Sequence, residues 1–280
     1  MSDLWIVYSS KHDSPNNPAS RMLVEALNHQ IDAELKFYEY FNIEDNKLYY
    51  YDKLINNFPK IVFLRCNHPD FAKFLEDKNV RVINKSNAIT VATDKLLAHQ
   101  AVNELNLPQI NGELVKDLSF EEIEAKYGKP FILKDRFGLQ GNNIYLIKSK
   151  WKYNHVHKKI DTDNYLVQEY ISESRGKDVR LYFCGDNLIG SVLRQNNKSF
   201  LSNINKGGLA YDFKAPNELI DMARKIKDKI QGEIISVDFV FKGDGFLFCE
   251  ANTNAGFQSY AYLGYDVRKI FMDYIKSQLN

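Results

Sequence analysis

Val237-Asp238-Phe239-Val240 and, after a short gap, Phe248-Cys249-Glu250-Ala251-Asn252 are two apolar runs close enough to be adjacent strands. Each carries oxygen donors toward one end of a sheet. Asp238 interrupts the first run; in the second, Glu250 and Asn252 are two apart and therefore share a face. Carboxylates and an amide oxygen gathered there suit Mg²⁺ (or Mn²⁺), which takes a few carboxylates together with phosphate oxygens and water. Solvated strand ends are the alternative reading of the same spacing.

A second candidate lies upstream, in Phe131-Ile132-Leu133-Lys134 followed by Asp135-Arg136-Phe137-Gly138-Leu139-Gln140-Gly141-Asn142-Asn143. A lysine that ends an apolar strand can neutralise phosphate oxygens, and a loop with Gly138 and Gly141 lets backbone N–H groups approach them. An ordinary hairpin turn has the same pattern. The chain lacks both the Walker pattern and a strand-to-helix GxGxxG, which argues against a P-loop or Rossmann nucleotide site.

Working outward, residues 4–8 and 61–64 read as buried strands and 19–30 as a helix, an α/β beginning. A short helix over 71–75, a strand over 80–83 and a helix over 93–105 capped by Thr93 follow, so a first domain closes near residue 85. Beyond Gly112 the pattern gives a helix over 119–127 and strands at 131–134 and 143–148. The short connection between those strands implies antiparallel pairing. Strands at 165–168, 178–183 and 188–194, a helix over 216–230, strands at 234–241 and 246–250, and a helix over 266–279 complete an α+β remainder without internal repeats.

The whole chain sets broad bounds. Its 280 residues, 44% hydrophobic and 26% charged, are enough for two or three compact subdomains with real cores. With 37 basic and 36 acidic residues the net charge is +1, so no global field would hold it on nucleic acid or an anionic membrane. The start, Met1-Ser2-Asp3 before residues 4–8, has no basic n-region or long apolar stretch, and a cytoplasmic protein is expected. Cys66, Cys184 and Cys249 form no CxxC pair or zinc-type cluster and read as buried reduced thiols. The run from Lys150 to Lys159, with Trp151, Tyr153, His155 and His157, mixes aromatic and basic residues but reads as a solvated helix.

Several fragments, in order, resemble the RimK-type branch of the ATP-grasp superfamily across nearly the whole chain. They are residues 83–90 continuing to Thr93-Asp94-Lys95; Lys134 with the loop to Gly141; Val167-Gln168-Glu169-Tyr170-Ile171; Asp178-Val179-Arg180; Ser202-Asn203 before Lys206-Gly207-Gly208; and Asp238, Glu250 and Asn252 at the family's metal triad. The resemblance implies an ATP-grasp fold of mixed α/β and α+β class: an N-terminal pre-ATP-grasp α/β domain (1–85), a central lid subdomain (86–170) and a C-terminal catalytic subdomain (171–280).

It also implies roles. Lys95 and Lys134 contact the nucleotide phosphates, with the loop from Gly138 to Gly141 as a lid. Gln168, Glu169, Tyr170 and Ile171 form the strand that reads adenine and ribose, and Asp178 and Asn203 belong to the nucleotide and metal region. Arg180 and Arg194 sit near the reacting centre, Arg194 stabilising the transferring phosphoryl group. Lys206, Gly207 and Gly208 form a substrate-facing loop, and Arg65 holds a substrate carboxylate, with a plain surface arginine as the alternative. In Thr253-Asn254-Ala255-Gly256-Phe257 the family's glycine is kept and its proline is not; this loop, with Asn254, presents the acceptor.

The expected activity is an ATP- and Mg²⁺-dependent carboxylate–amine ligase working through an acyl phosphate, adding glutamate or another amino acid to a peptide, a protein or a small acid. Its partners are then a small carboxylate and amine, or a peptide or protein acceptor, with no nucleic acid or membrane, and a homo-oligomer is in keeping with the family. Rival readings are a peptide-macrocyclising or LysX-type ligase and, from another class, an ATP-binding regulator without turnover.

Overall fold

The computed structural model describes residues 2–12, 17–116 and 118–279, and among them the strands form four sheets. Strand β1 (Leu4–Tyr8) is buried at all five positions, as an inner parallel strand requires. Helix α1 (Pro18–Asn28) starts where the Asn17 side chain accepts from Ser20 N at 2.8 Å, with proline in the first turn. After β2 (Ala33–Phe37) the chain makes an antiparallel meander that the sequence reading leaves out: β3 (Phe41–Glu44), β4 (Lys47–Tyr50) and β5 (Lys53–Ile55). Its turns use Asp45-Asn46 (φ 48° and 56°) and Tyr51-Asp52 (φ 47° and 59°). This is two-residue hairpin backbone without the glycine that usually marks it. Strand β6 (Ile61–Arg65), helix α2 (Pro69–Asp77) and strand β7 (Arg81–Ile83) complete a parallel sheet of order β2-β1-β6-β7.

Two helices follow, α3 (Ser86–Thr93) and α4 (Lys95–Glu104). The expected single helix capped by Thr93 is corrected: the backbone leaves the helical region at Asp94 (ψ 104°), and the Asp94 carboxylate accepts from Leu96 N at 2.9 Å. Asp94 is the cap. Ala88, Ala92, Ala98 and Val102 of these helices bury against the C-terminal sheet, although the sequence groups them with the central unit.

The central unit contains β8 (Gly112–Leu114), α5 (Phe120–Tyr127), β9 (Phe131–Asp135), β10 (Ile144–Ile147), α6 (Lys150–His157) and β11 (Tyr165–Glu169), with strand order β10-β9-β11-β8. A capping box of Ser119 and Glu122 starts α5. The hairpin of β9 and β10 is antiparallel, as expected. Phe131, Leu133, Tyr165 and Val167 pack with Phe120, Ile123, Tyr153 and Val156 from the two helices. Strand alternation therefore turns Ile132, Lys134, Leu166 and Gln168 to the opposite face.

The C-terminal unit contains β12 (Lys177–Cys184), β13 (Asn187–Gln195), β14 (Leu209–Asp212), α7 (Asn217–Ile230), β15 (Ile234–Lys242), β16 (Gly245–Asn252), α8 (Gln258–Tyr262) and α9 (Val267–Leu279). Its antiparallel sheet has the order β14-β13-β12-β15-β16. Helices α3, α4 and α7 cover one face. On the other, Tyr182, Val192 and Phe271 share a core with Leu4, Ile6 and Phe63 of the N-terminal sheet; each large apolar side chain buried there contributes about 1.5–3 kcal/mol. Asn84, 1% exposed, clasps the two units. It donates to Ile234 O (2.8 Å) and Thr253 O (3.1 Å) and accepts from Glu233 N (2.7 Å) and Ile234 N (2.9 Å). Among the described residues no helix is long and apolar enough to cross a membrane.

Candidate active site

The register of the C-terminal sheet sets Asp178 opposite Arg194, Arg180 opposite Asp238, and Asp238 opposite Glu250. The result is a buried chain of alternating charge. Arg180 grips Asp238 with Nε (2.7 Å) and Nη2 (2.6 Å). Arg194 grips Asp178 in the same way (2.7 and 2.5 Å) and adds an Nη2 bond of 2.7 Å to Asp238 Oδ2. Ser202 Oγ donates to Asp178 Oδ2 at 2.6 Å. Burial alone would push the Asp238 carboxyl up; the Arg180 and Arg194 guanidiniums outweigh it and hold it down to about 2. Beside this row the ladder shifts register between Asp238 and Phe239, leaving Cys249 as a bulge that sets the aim of Glu250 and Asn252. Burial pushes the Cys249 thiol up to about 12, so it stays protonated.

A carboxylate offers about four lone-pair sites, and arginine takes three of those on Asp238, leaving one on Oδ1. The Glu250 side chain is 28% exposed and accepts from Asn252 Nδ2 at 3.2 Å. That contact leaves the Asn252 amide oxygen without a donor among the described residues. These hard oxygens fit a small divalent cation such as Mg²⁺. No three His, Cys, Asp or Glu side chains among the described residues are grouped as a metal site, so the Asn252 oxygen would be needed to complete the set.

Across the cleft the charges are unpaired. Lys134 is 4% exposed, and it forms no salt bridge or side-chain hydrogen bond among the described residues. Lys95, 6% exposed, reaches only backbone carbonyls, those of Gly138 and of Arg136 (3.4 Å). Burial lowers its pKa, while the nearby Glu250 carboxylate opposes that shift. An uncompensated buried ammonium is expensive. Two together, beside hard oxygens, fit the phosphates of a nucleotide.

The loop between β9 and β10 crosses onto the C-terminal unit. At Gly141 the backbone has φ +73°, which favours glycine, and a Cβ would fall 2.6 Å from Asn203 Oδ1, which would have to shift. Lys206 Nζ donates to Asn142 Oδ1 at 3.1 Å, Gly207 is left-handed at φ +87°, and Gly208 N donates to Asn203 O at 3.1 Å. Strand β11 carries buried Gln168, then Glu169, which faces Lys242 Nζ at 3.4 Å, before half-buried Tyr170 and buried Ile171 lead into the C-terminal unit.

Arg65 ends β6 and is 6% exposed, so it is no surface arginine. Its Nη2 donates to Ala255 O at 3.0 Å, and Asn254 Nδ2 donates back to Arg65 O at 3.1 Å. The guanidinium lies 5.6, 6.0 and 5.7 Å from the rings of Phe63, Phe257 and Phe271. Its Nε and Nη1, and the Tyr8 hydroxyl, are buried without a partner among the described residues. Sequence reasoning missed the bidentate Arg136–Asp94 pair (2.7 and 2.5 Å) that braces the lid against α4. It also missed His99, which the i, i+4 spacing from Lys95 would have placed on the same helix face.

Comparison with known proteins closes the argument. The family model of the RimK-like ATP-grasp domain matches residues 91–275. The chain belongs to the RimK-like ATP-grasp family. It is an ATP-grasp ligase, forming carbon–nitrogen bonds. An uncharacterized Mycoplasma genitalium protein, MG012, is 28% identical over 91% of this chain and 92% of its own. Human N-acetylaspartylglutamate synthase A is 27% identical over 81% of this chain and 62% of that protein. A RimK domain ATP-grasp protein from Sphaerobacter thermophilus superposes with a TM-score of 0.75 at 17% identity, covering 98% and 99% of the two chains. At that identity the likeness concerns fold alone.

Proposed function

We propose that this ligase joins a carboxylate to an amine through an acyl phosphate, with ATP and Mg²⁺ or Mn²⁺, and adds glutamate or another amino acid to a peptide, a protein or a small acid. The observation that carries this is the pair of buried, carboxylate-free ammoniums of Lys95 and Lys134 beside the open oxygens of Glu250 and Asn252. Glutamate is favoured because a relative over most of this chain is named N-acetylaspartylglutamate synthase A.

In this reading Gln168, Tyr170 and Ile171 line the adenine site and Glu169 holds the ribose. Lys95, Lys134 and the backbone from Gly138 to Gly141 neutralise the phosphates, with Asp178 and Asn203 beside them. Asp238, Glu250 and Asn252 hold the metal, which when bound offsets charge on the phosphate oxygens. A carboxylate oxygen bonds to the γ-phosphorus as the bond to the departing ADP oxygen breaks. The amine nitrogen then bonds to the acyl carbon as phosphate leaves, and gives up a proton. Arg194 and Arg180 steady the developing charge, while Arg65, Asn254, Lys206, Gly207 and Gly208 position the substrates.

The test is phosphate release from ATP and Mg²⁺ across a panel of amino acids, peptides and cell-extract fractions, with mass spectrometry of any stimulating mixture. A product lighter by one water than its parts, formed with ADP and phosphate, is expected. Tight ATP binding with no stimulated turnover anywhere in the panel would overturn the reading.

A further inference from the structure

Behind Gln168 lies a polar chain, His99 and Gln109, that the roles above do not use. His99 lies one turn beyond Lys95 on α4. Its Nδ1 is 2.7 Å from Gln109 Oε1, and its Nε2 is 3.0 Å from Gln168 Nε2. An amide oxygen only accepts, so Nδ1 carries the hydrogen and Nε2 is left with a lone pair for the Gln168 NH₂. The ring packs edge-on to Phe248, centroids 5.2 Å apart. Burial, then the Lys134 charge, push its pKa down to about 3, against the opposing hydrogen bonds to Gln109 and to the Cys249 backbone. The imidazole is therefore neutral, and Nε2 remains an acceptor.

Gln168 is the group this arrangement controls. It is 4% exposed and lies on the cleft face of the central sheet, where its partner in register is Ile132 and the next pair on that face, two along, is Leu166 with Lys134. A Cβ at Gly112 would fall 2.6 Å from Gln168 Cγ, so the missing side chain at 112 makes room for it. With its NH₂ committed to His99, Gln168 Oε1 accepts no hydrogen bond among the described residues. A fixed acceptor that meets no protein donor asks for an N–H donor, and a ligand group that covers it with a second acceptor leaves both unpaired.

We propose that His99 is a positioning residue that holds the Gln168 amide with its oxygen outward, so that the site selects a purine bearing a 6-amino group over one bearing a 6-oxo group. This rests on the reading of β11 as the adenine-facing strand. Without the His99 acceptor the amide is free to turn over and donate to a 6-oxo oxygen. Discrimination then falls.

ATP and ITP isolate the 6-position, and titration calorimetry of each against wild type, His99→Leu and His99→Gln reads the ratio of their affinities. Wild type is expected to prefer ATP. His99→Leu should cut that preference about tenfold, and His99→Gln, which again offers an acceptor and a donor, should keep most of it. A merely structural histidine would change the melting temperature and leave the ratio alone. If His99→Leu does not fold, Gln168→Leu, which removes the acceptor outright, should cut the same ratio. An unchanged ratio in the folded variant overturns the proposal and leaves the nucleotide site standing; a wild type that binds neither nucleotide overturns both.

Discussion

The two walls of the cleft carry the same kinds of charge and treat them oppositely. On the C-terminal sheet Arg180, Arg194, Asp178 and Asp238 answer one another at 2.5–2.7 Å. Facing them, Lys134 of the central sheet and Lys95 at the start of α4 are almost as buried, yet no carboxylate meets either among the described residues. Paired ions are set in place by the fold before a ligand arrives. Unpaired ones mark what it expects from a ligand, because their desolvation cost is offset only when an anion arrives.

Three experiments can break or sharpen that contrast. The largest effect should come from Arg194→Met, which leaves Asp178 with only the Ser202 hydroxyl and takes one of two guanidiniums from Asp238: removing one member of a buried pair costs about 3–5 kcal/mol, read as a lowered urea midpoint. A midpoint close to wild type would show that the row is not self-supporting. Next comes acid. The pKa of His99 is lowered from 6.5 to about 3, chiefly by burial, so below pH 6.5 the unfolded chain binds a proton that the folded chain refuses. Stability is untouched above that pH and declines below it, by about 3 kcal/mol near pH 4 at ~1.4 kcal/mol per unit. His99→Leu should flatten this slope in urea titrations between pH 7 and 4.5; parallel slopes would contradict the assignment. Lys134→Met should leave the melting temperature unchanged or higher while weakening ATP binding about 100-fold, or ~2.7 kcal/mol. A large fall in melting temperature with affinity retained would move Lys134 to the paired class.

Much of this was legible in the sequence because it rests on short periods. Strand alternation alone places Glu250 with Asn252 on one face, and an apolar run broken by Lys134 already says that something must justify a buried ammonium. The meander over 41–55 was not legible, since its turns reach positive φ at Asp45, Asn46, Tyr51 and Asp52 without a glycine. The helix cap was misread because Thr93 and Asp94 are both good caps, and only the tertiary contact with Arg136 decides for Asp94. His99 was missed for a related reason: its partners, Gln109 and Gln168, are 10 and 69 residues away. Nor does any local pattern reveal that Arg65 is enclosed by three rings from two units.

Asn84 has a mechanical consequence. All four of its side-chain hydrogen bonds run to Glu233 and Ile234 at the start of β15 and to Thr253 just after β16, and the core beneath is continuous from β1 to α9. The N-terminal and C-terminal units are thereby one jaw, and a swing between them would break the clasp and open that core together. The hinge left to the molecule lies in the chain on either side of the central unit, before β8 and after Glu169. Any opening that spares the clasp would be the travel of a single small jaw against a rigid one, and the distance between Gly141 and Asn203 would gauge how far it had shut.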